Sequence, residues 1–141
     1  MIVLDASVIL KWFLIEKDRD IALIFLDRHI NGDKHIAVPE LLCYELCNIL
    51  AFKTDLSEKM VADNILDFFE FKLQVISLSR QEYSEAIHLS RLYKVSVYDA
   101  SYIVLARSLN ADFVTADEKL AQKMKDIPFV QTLKNYSEGN C

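Results

Sequence analysis

Short β-branched runs alternate with longer amphipathic runs along nearly the whole chain, and this alternation is what most restricts the fold. Strands are expected at Ile2–Leu4, His35–Val38, Val75–Leu78, Phe113–Thr115 and Phe129–Gln131. Helices are expected near Ala6–Ile15, Arg19–Ile30, Pro39–Lys53, Ser57–Phe71, Arg80–Tyr93, Val97–Leu109 and Asp117–Lys125. Strands separated by helices must run parallel and be joined by crossovers, so helices should cover both faces of one sheet. "ING" at 30–32 reads as a helix stop. Only two Gly and two Pro occur, and no linker or repeat interrupts the pattern. One α/β domain spanning residues 1–141 is expected, with a single sizeable core.

Composition narrows the setting. Apolar residues make up 52% of the chain, but no apolar run approaches the ~18 residues of a membrane span. The opening "MIVLDAS" lacks the basic start of a signal peptide, so a cytoplasmic location is expected. The three cysteines, Cys43, Cys47 and Cys141, show no disulfide pattern. No second ligand pair follows Cys43 and Cys47, so packing or surface thiols explain them better than a metal does. The net charge of −5 opposes broad, non-specific nucleic-acid binding. It leaves room for a nuclease whose carboxylates hold a cation, and for a basic partner.

Four acids stand where an acid needs a reason. In "PELLCYELCNIL" a helix beginning at Pro39 carries Glu45 at about 40° from Leu41, between Phe52 near 20° and Ile49 near 80°. An unpaired carboxylate among such neighbours costs several kcal/mol. A salt bridge, or a protonated Glu at the edge of the stripe, would explain Glu45 alone. Asp99 opens the apolar helix of "SVYDASYIVLA", where a capping box with Ser96 would explain it alone. Asp5 follows the first strand, at the sheet edge where open parallel sheets bind ligands, and it could equally be a helix cap. Asp117 in "FVTADEKL" follows the fourth strand. A capping box between Thr115 and Glu118 would leave Asp117 without a structural duty. If the first and fourth strands are neighbours, the acids meet. Two charges ~5 Å apart repel by ~3 kcal/mol at an effective dielectric near 20. A divalent cation would relieve several such pairs, and all-oxygen ligation favours Mg2+ or Mn2+.

"MIVLDAS", "PELLCYELCNIL", "YDASYIVLA" and "FVTADEKL" resemble, in order and spacing, the four motif blocks of the PIN-domain ribonucleases, closest to the VapC toxins of toxin–antitoxin pairs. The resemblance implies that Asp5, Glu45, Asp99 and Asp117 are the catalytic, metal-holding quartet. It matches Ser7 and Thr115 to hydroxyl positions that would orient water or substrate, and Asn48 to a frequent Asn. It implies a three-layer α/β/α sandwich with a parallel sheet of order 3-2-1-4-5, which sets the first strand beside the fourth. It further implies a metal-dependent endoribonuclease with an RNA substrate, a homodimer, and a VapB-like antitoxin whose C-terminal segment covers the acid pocket. Lys11 and Arg107 are candidate phosphate contacts, with a plain solvated charge the commoner reading of each. Trp12, Phe13 and Phe25 would line the antitoxin groove unless core packing takes them.

Rival readings lack their residues. A haloacid-type phosphatase needs a second Asp where Ser7 stands. A receiver domain needs paired acids at the first strand, though Lys134 would suit it. No Gly-rich phosphate loop exists, and His29, His35 and His88 stand without a nucleophile motif. A solitary RNA-processing nuclease, or a protein-binding module without catalysis, remains an alternative. A short basic reading frame upstream would favour the toxin.

Overall fold

The computed structural model describes residues 1–139, with side chains described to Tyr136. Cys141, and its expected thiol, lies outside the described residues. Five strands form the sheet: β1 (Ile2–Leu4), β2 (Ile36–Pro39), β3 (Gln74–Ile76), β4 (Asp112–Thr115) and β5 (Val130–Thr132). All pairings are parallel and the order is β3-β2-β1-β4-β5, as the resemblance implied.

The connecting helices are α1 (Ala6–Phe13), α2 (Arg19–Ile30), α3 (Leu41–Phe52), α4 (Glu58–Glu70), α5 (Arg80–Tyr93), α6 (Val97–Ser108) and α7 (Glu118–Lys123). Right-handed crossovers put α1–α4 on one face and α5–α7 on the other. The packing agrees: α1 meets α2 and α3, α3 meets α4, and α5 lies along α6. A further helix, α8 (Leu133–Gly139), was not expected; it packs on α2, β4 and β5. Leu133 and Tyr136 provide its apolar side, and Tyr136 lies 5.5 Å from Phe25, ring centre to ring centre. Two anchors in a tail of seven residues give too little periodicity to read from sequence.

Burial explains why β1 and α6 are central. All three residues of β1 are inaccessible to solvent, and Ala100–Ala106 of α6 are buried on every side. An element apolar all round has to be covered all round. The helix stop at 30–32 is present: α2 ends at Ile30 and Gly32 takes a φ of +82°, which a side chain would strain. Pro39 belongs to the end of β2 and does not open α3. The buried face of α3 is Leu42, Leu46 and Leu50, with Phe52 82% exposed. Glu45 therefore sits at the margin of the apolar face, half-buried, and not at its centre. Among the described residues no helix is long and apolar enough to cross a membrane.

Candidate active site

The parallel register of β1 on β4 pairs Leu4 with Val114, so the next residues, Asp5 just past β1 and Thr115 at the end of β4, lie side by side. Asp5 then caps α1. Its Oδ1 accepts the backbone N–H of Ser7 at 3.1 Å, that of Val8 at 3.4 Å, and the Ser7 hydroxyl at 2.5 Å. Its Oδ2 accepts the Thr115 hydroxyl at 2.5 Å. Both hydroxyl protons are thereby committed to Asp5, so the 3.3 Å approach of Ser7 Oγ to Thr115 Oγ1 is a contact and not a bond. Ser7 Oγ in turn accepts the N–H of Ala116 at 2.9 Å, and Thr115 Oγ1 accepts that of Asp117 at 3.0 Å. The two strand ends are laced together through these hydroxyls.

Asp5 is only 6% exposed. Burial raises its pKa to about 6, against the lowering effect of its Ser7, Thr115 and Val8 bonds, and the charge of Asp99 adds to the rise. Asp117 is exposed and accepts the N–H of Leu120 at 3.1 Å, so it is itself the cap of α7. The expected capping box between Thr115 and Glu118 is not formed, because Thr115 is turned inward to Asp5.

Asp99 stands in the first turn of α6. The Ser96 hydroxyl accepts its N–H at 3.0 Å, the half of the expected box that caps the helix. Burial raises the Asp99 pKa; the Ser96 bond lowers it, Asp117 raises it, and Lys123 lowers it. Glu45 reaches the cluster from α3. Its Oε1 accepts the phenol of Tyr102 at 2.7 Å. Its pKa is raised by burial, lowered by the Tyr102 bond and raised again by Asp99. Tyr102 is 1% exposed, and burial together with the Glu45 charge pushes its O–H well above the usual range, so it remains a donor. Sequence reasoning missed Tyr102. The available signal was a phenol in an otherwise buried helix, since a buried Tyr O–H needs a partner.

Asp99 is the hub: its charge is felt by Asp5 and by Glu45, and it feels that of Asp117. Neither of the ion pairs Lys11–Glu16 (3.4 Å) and Lys59–Asp63 (2.8 Å) involves one of these acids. The donor set is thus all oxygen, crowded and anionic, which fits a hard divalent cation in kind. It is not a ready cage. Among the described residues no three His, Cys, Asp or Glu side chains converge on one ion position, because Asp5, Glu45 and Asp117 are turned to the hydrogen bonds above.

Other expected residues divide. Lys11 lines a cleft of about 430 Å³ beside Asp117, together with Lys17, Lys119 and Lys134. Arg107 lies in the last turn of α6, about 12 Å along the helix from Asp99, on a different cleft. That removes it as a phosphate contact at the acids. Trp12 and Phe25 are core residues, which leaves only half-buried Phe13 of the expected groove trio accessible. Asn48 is exposed on α3. His29 is structural, accepting the N–H of Ile36 at 3.2 Å and bonding the Phe71 carbonyl at 3.0 Å.

A family model described as PIN domain matches residues 2–125. Ribonuclease VapC3 from Pyrobaculum aerophilum is 27% identical over 126 residues, which cover 86% of this chain and 93% of that protein. A chain of a toxin–antitoxin complex from Klebsiella pneumoniae superposes with a TM-score of 0.69 at 14% identity, covering 94% of this chain and 98% of that one. A chain of VapBC-1 from nontypeable Haemophilus influenzae gives 0.67 at 17% identity, covering 95% and 99%. With nearly nine-tenths of its length matched and the strand order of that fold, the chain belongs to the PIN-domain family.

Proposed function

We propose that this protein is a metal-dependent endoribonuclease and the toxin of a VapBC-type pair. The observation that carries this reading is the set of four acids coupled through Asp99, with Asp5 buried at the carboxyl end of the central strand and held at a pKa near 6. A buried acid kept in this costly state, with hydroxyl donors and, among the described residues, no ion-paired cation, has a use beyond packing. The name of the Pyrobaculum relative and the toxin–antitoxin assemblies among the structural neighbours support the same class.

Asp5, Asp99 and Asp117 would hold one or two Mg2+ or Mn2+ ions, with Glu45 completing the set. When bound, the metal would acidify a water and neutralise charge gathering on the phosphate. Ser7 and Thr115 keep the Asp5 carboxylate in one orientation. Glu45, anchored by Tyr102, orients the attacking water and takes its proton; burial raises its pKa and so makes it a stronger base than an ordinary carboxylate. Lys17 and Lys119, exposed in the cleft beside Asp117, steer the RNA backbone toward the acids, while Lys11 is buried and paired with Glu16. A basic antitoxin segment would silence the site by covering the same acids, and dimer formation and a cytoplasmic location belong to this reading too.

Sequencing RNA ends after a brief pulse of expression tests it, comparing the parent with Asp5→Asn. Discrete cuts in one RNA class, absent from the variant and suppressed by co-expressing the upstream reading frame, are expected. Identical RNA ends from parent and variant would sink the nuclease and leave a protein-binding module.

A further inference from the structure

Two clefts flank the acids. One, lined by Lys17, Lys119 and Lys134 and also by Asp18, Asp117 and Glu118, lies toward β4 and β5. The other, about 340 Å³, lies toward β2 and β3, where Pro39 ends β2, Ser77 follows β3, and α3 and α6 begin. Tyr44, Tyr83 and Tyr98 line it, and each is more than half exposed. Its size falls in the range of small-ligand pockets. Tyr44 directly precedes Glu45 and Tyr98 directly precedes Asp99. On the α6 turn Tyr102 falls between Tyr98 and Asp99, so the pocket wall and the acid cluster share a backbone.

The flanks differ in charge. Residues 40–70, which include α3 and α4, hold seven acids and two lysines, so they carry as much net charge as the whole chain. A phosphate is repelled on that side. Within the pocket Glu40 Oε2 accepts the Ser77 hydroxyl at 2.9 Å. Three phenol rings with a carboxylate at their edge suit a flat, neutral group whose own edge donates hydrogen bonds.

We propose that this pocket receives one unpaired base of the RNA next to the phosphate that is cut. The strand crosses the acids with its phosphates toward the lysines and that base stacked among the tyrosines. A paired base cannot enter, so the pocket selects single-stranded RNA. The inference rests on the ribonuclease reading and deepens it.

The test measures binding, so it does not depend on cleavage. The Asp5→Asn protein is titrated with a labelled, unstructured 12-nucleotide oligoribonucleotide and with the same backbone made abasic, read by fluorescence anisotropy. Tyr83→Ala and Tyr98→Ala should each weaken binding of the base-bearing strand about tenfold. The abasic strand should be unaffected, and Phe at either position should restore affinity. Unchanged affinity, or equal loss on both strands, overturns the proposal. So does sedimentation showing that the Ala variants fall from dimer to monomer while RNA affinity holds, since the face would then join two copies of the chain. If the parent binds neither strand, the ribonuclease reading itself fails, a result distinct from a parent that binds and tyrosines that do not matter.

Discussion

Tyr102 on α6 donates its phenol to Glu45 on α3, fifty-seven positions apart in the chain, at 2.7 Å. The bond fixes a carboxylate that would otherwise swing at the margin of α3. It also favours the charged form of Glu45, opposing the effect of burial. Tyr102→Phe keeps the ring in place and removes only the donor. Glu45 should then titrate higher, so the acid limb of the rate profile should move to higher pH. Stability should fall by about 1 kcal/mol. A pH–rate series on the purified variant checks both the shift and its sign.

Asp5 lowers stability in its charged form. Its folded pKa of about 6 lies above its ordinary value of 3.8, so the folded chain holds the proton more tightly than the unfolded one. Well below pH 3.8 both states are protonated and there is no deficit. The deficit grows as pH rises through the window from 3.8 to 6 and is complete above it. Two pKa units set an upper bound of about 3 kcal/mol. Asn keeps the cap without the charge. Urea melts in metal-free buffer should find Asp5→Asn more stable than the parent at pH 7.5, with most of the gain gone at pH 4.

The acids were legible because each stood in a helix or at a strand end where propensity alone did not ask for it. Sheet order followed from the same motifs, and the register of Leu4 on Val114 then brought Asp5 to Thr115. Their local duties were less legible. Asp117 and Thr115 exchanged roles because a hydroxyl at a strand end can turn to either helix or neighbouring strand, and only the sheet decides which. Glu45 was set too deep because Phe52 was counted as core, whereas α3 ends in solvent there. Tyr102 escaped notice because its ring belongs to the apolar pattern and only its oxygen to the site.

Thr115 is the link between two acids. It donates to Asp5 and accepts from the Asp117 N–H, and it is wholly buried. Thr115→Val keeps the shape and leaves that N–H without its partner, so about 1–3 kcal/mol of stability should be lost. The Asp5 pKa should rise further, because the lost bond lowers it. Activity should drop more than tenfold, by analogy with other losses of supporting bonds around metal ligands. Thr115→Ser, which retains the oxygen, should recover most of it. Equal loss in both variants would point to the methyl group and packing.

A dication that binds the acids must stabilise the folded chain. At a hundred times its dissociation constant the gain is about 2.7 kcal/mol, which for a domain of this size raises Tm by roughly 5–10 °C. Mg2+ and Mn2+ should each do so in a thermal melt at pH 7.5. Asp99→Asn should remove most of the shift, because Asp99 is the residue whose charge the cluster shares. A variant at exposed Asp63, which pairs with Lys59, should keep it. Equal shifts in all three proteins would place the ion elsewhere.

The lysine cleft and the tyrosine pocket should separate in salt. A lysine that neutralises one phosphate of a single strand contributes about −0.7 to the slope of log K against log salt. Lys119 is exposed in the cleft beside Asp117, and Lys17 is exposed across from it. Lys119→Ala and Lys17→Ala in the Asp5→Asn protein should weaken all single-stranded RNAs alike and flatten the slope by about that amount each. Tyr98→Ala should weaken binding with the slope unchanged, since stacking releases no counterion. Anisotropy titrations between low and moderate salt give both quantities from one set of curves. A tyrosine variant that flattens the slope, or a lysine variant that does not, would mean that the strand does not cross the acids in this orientation.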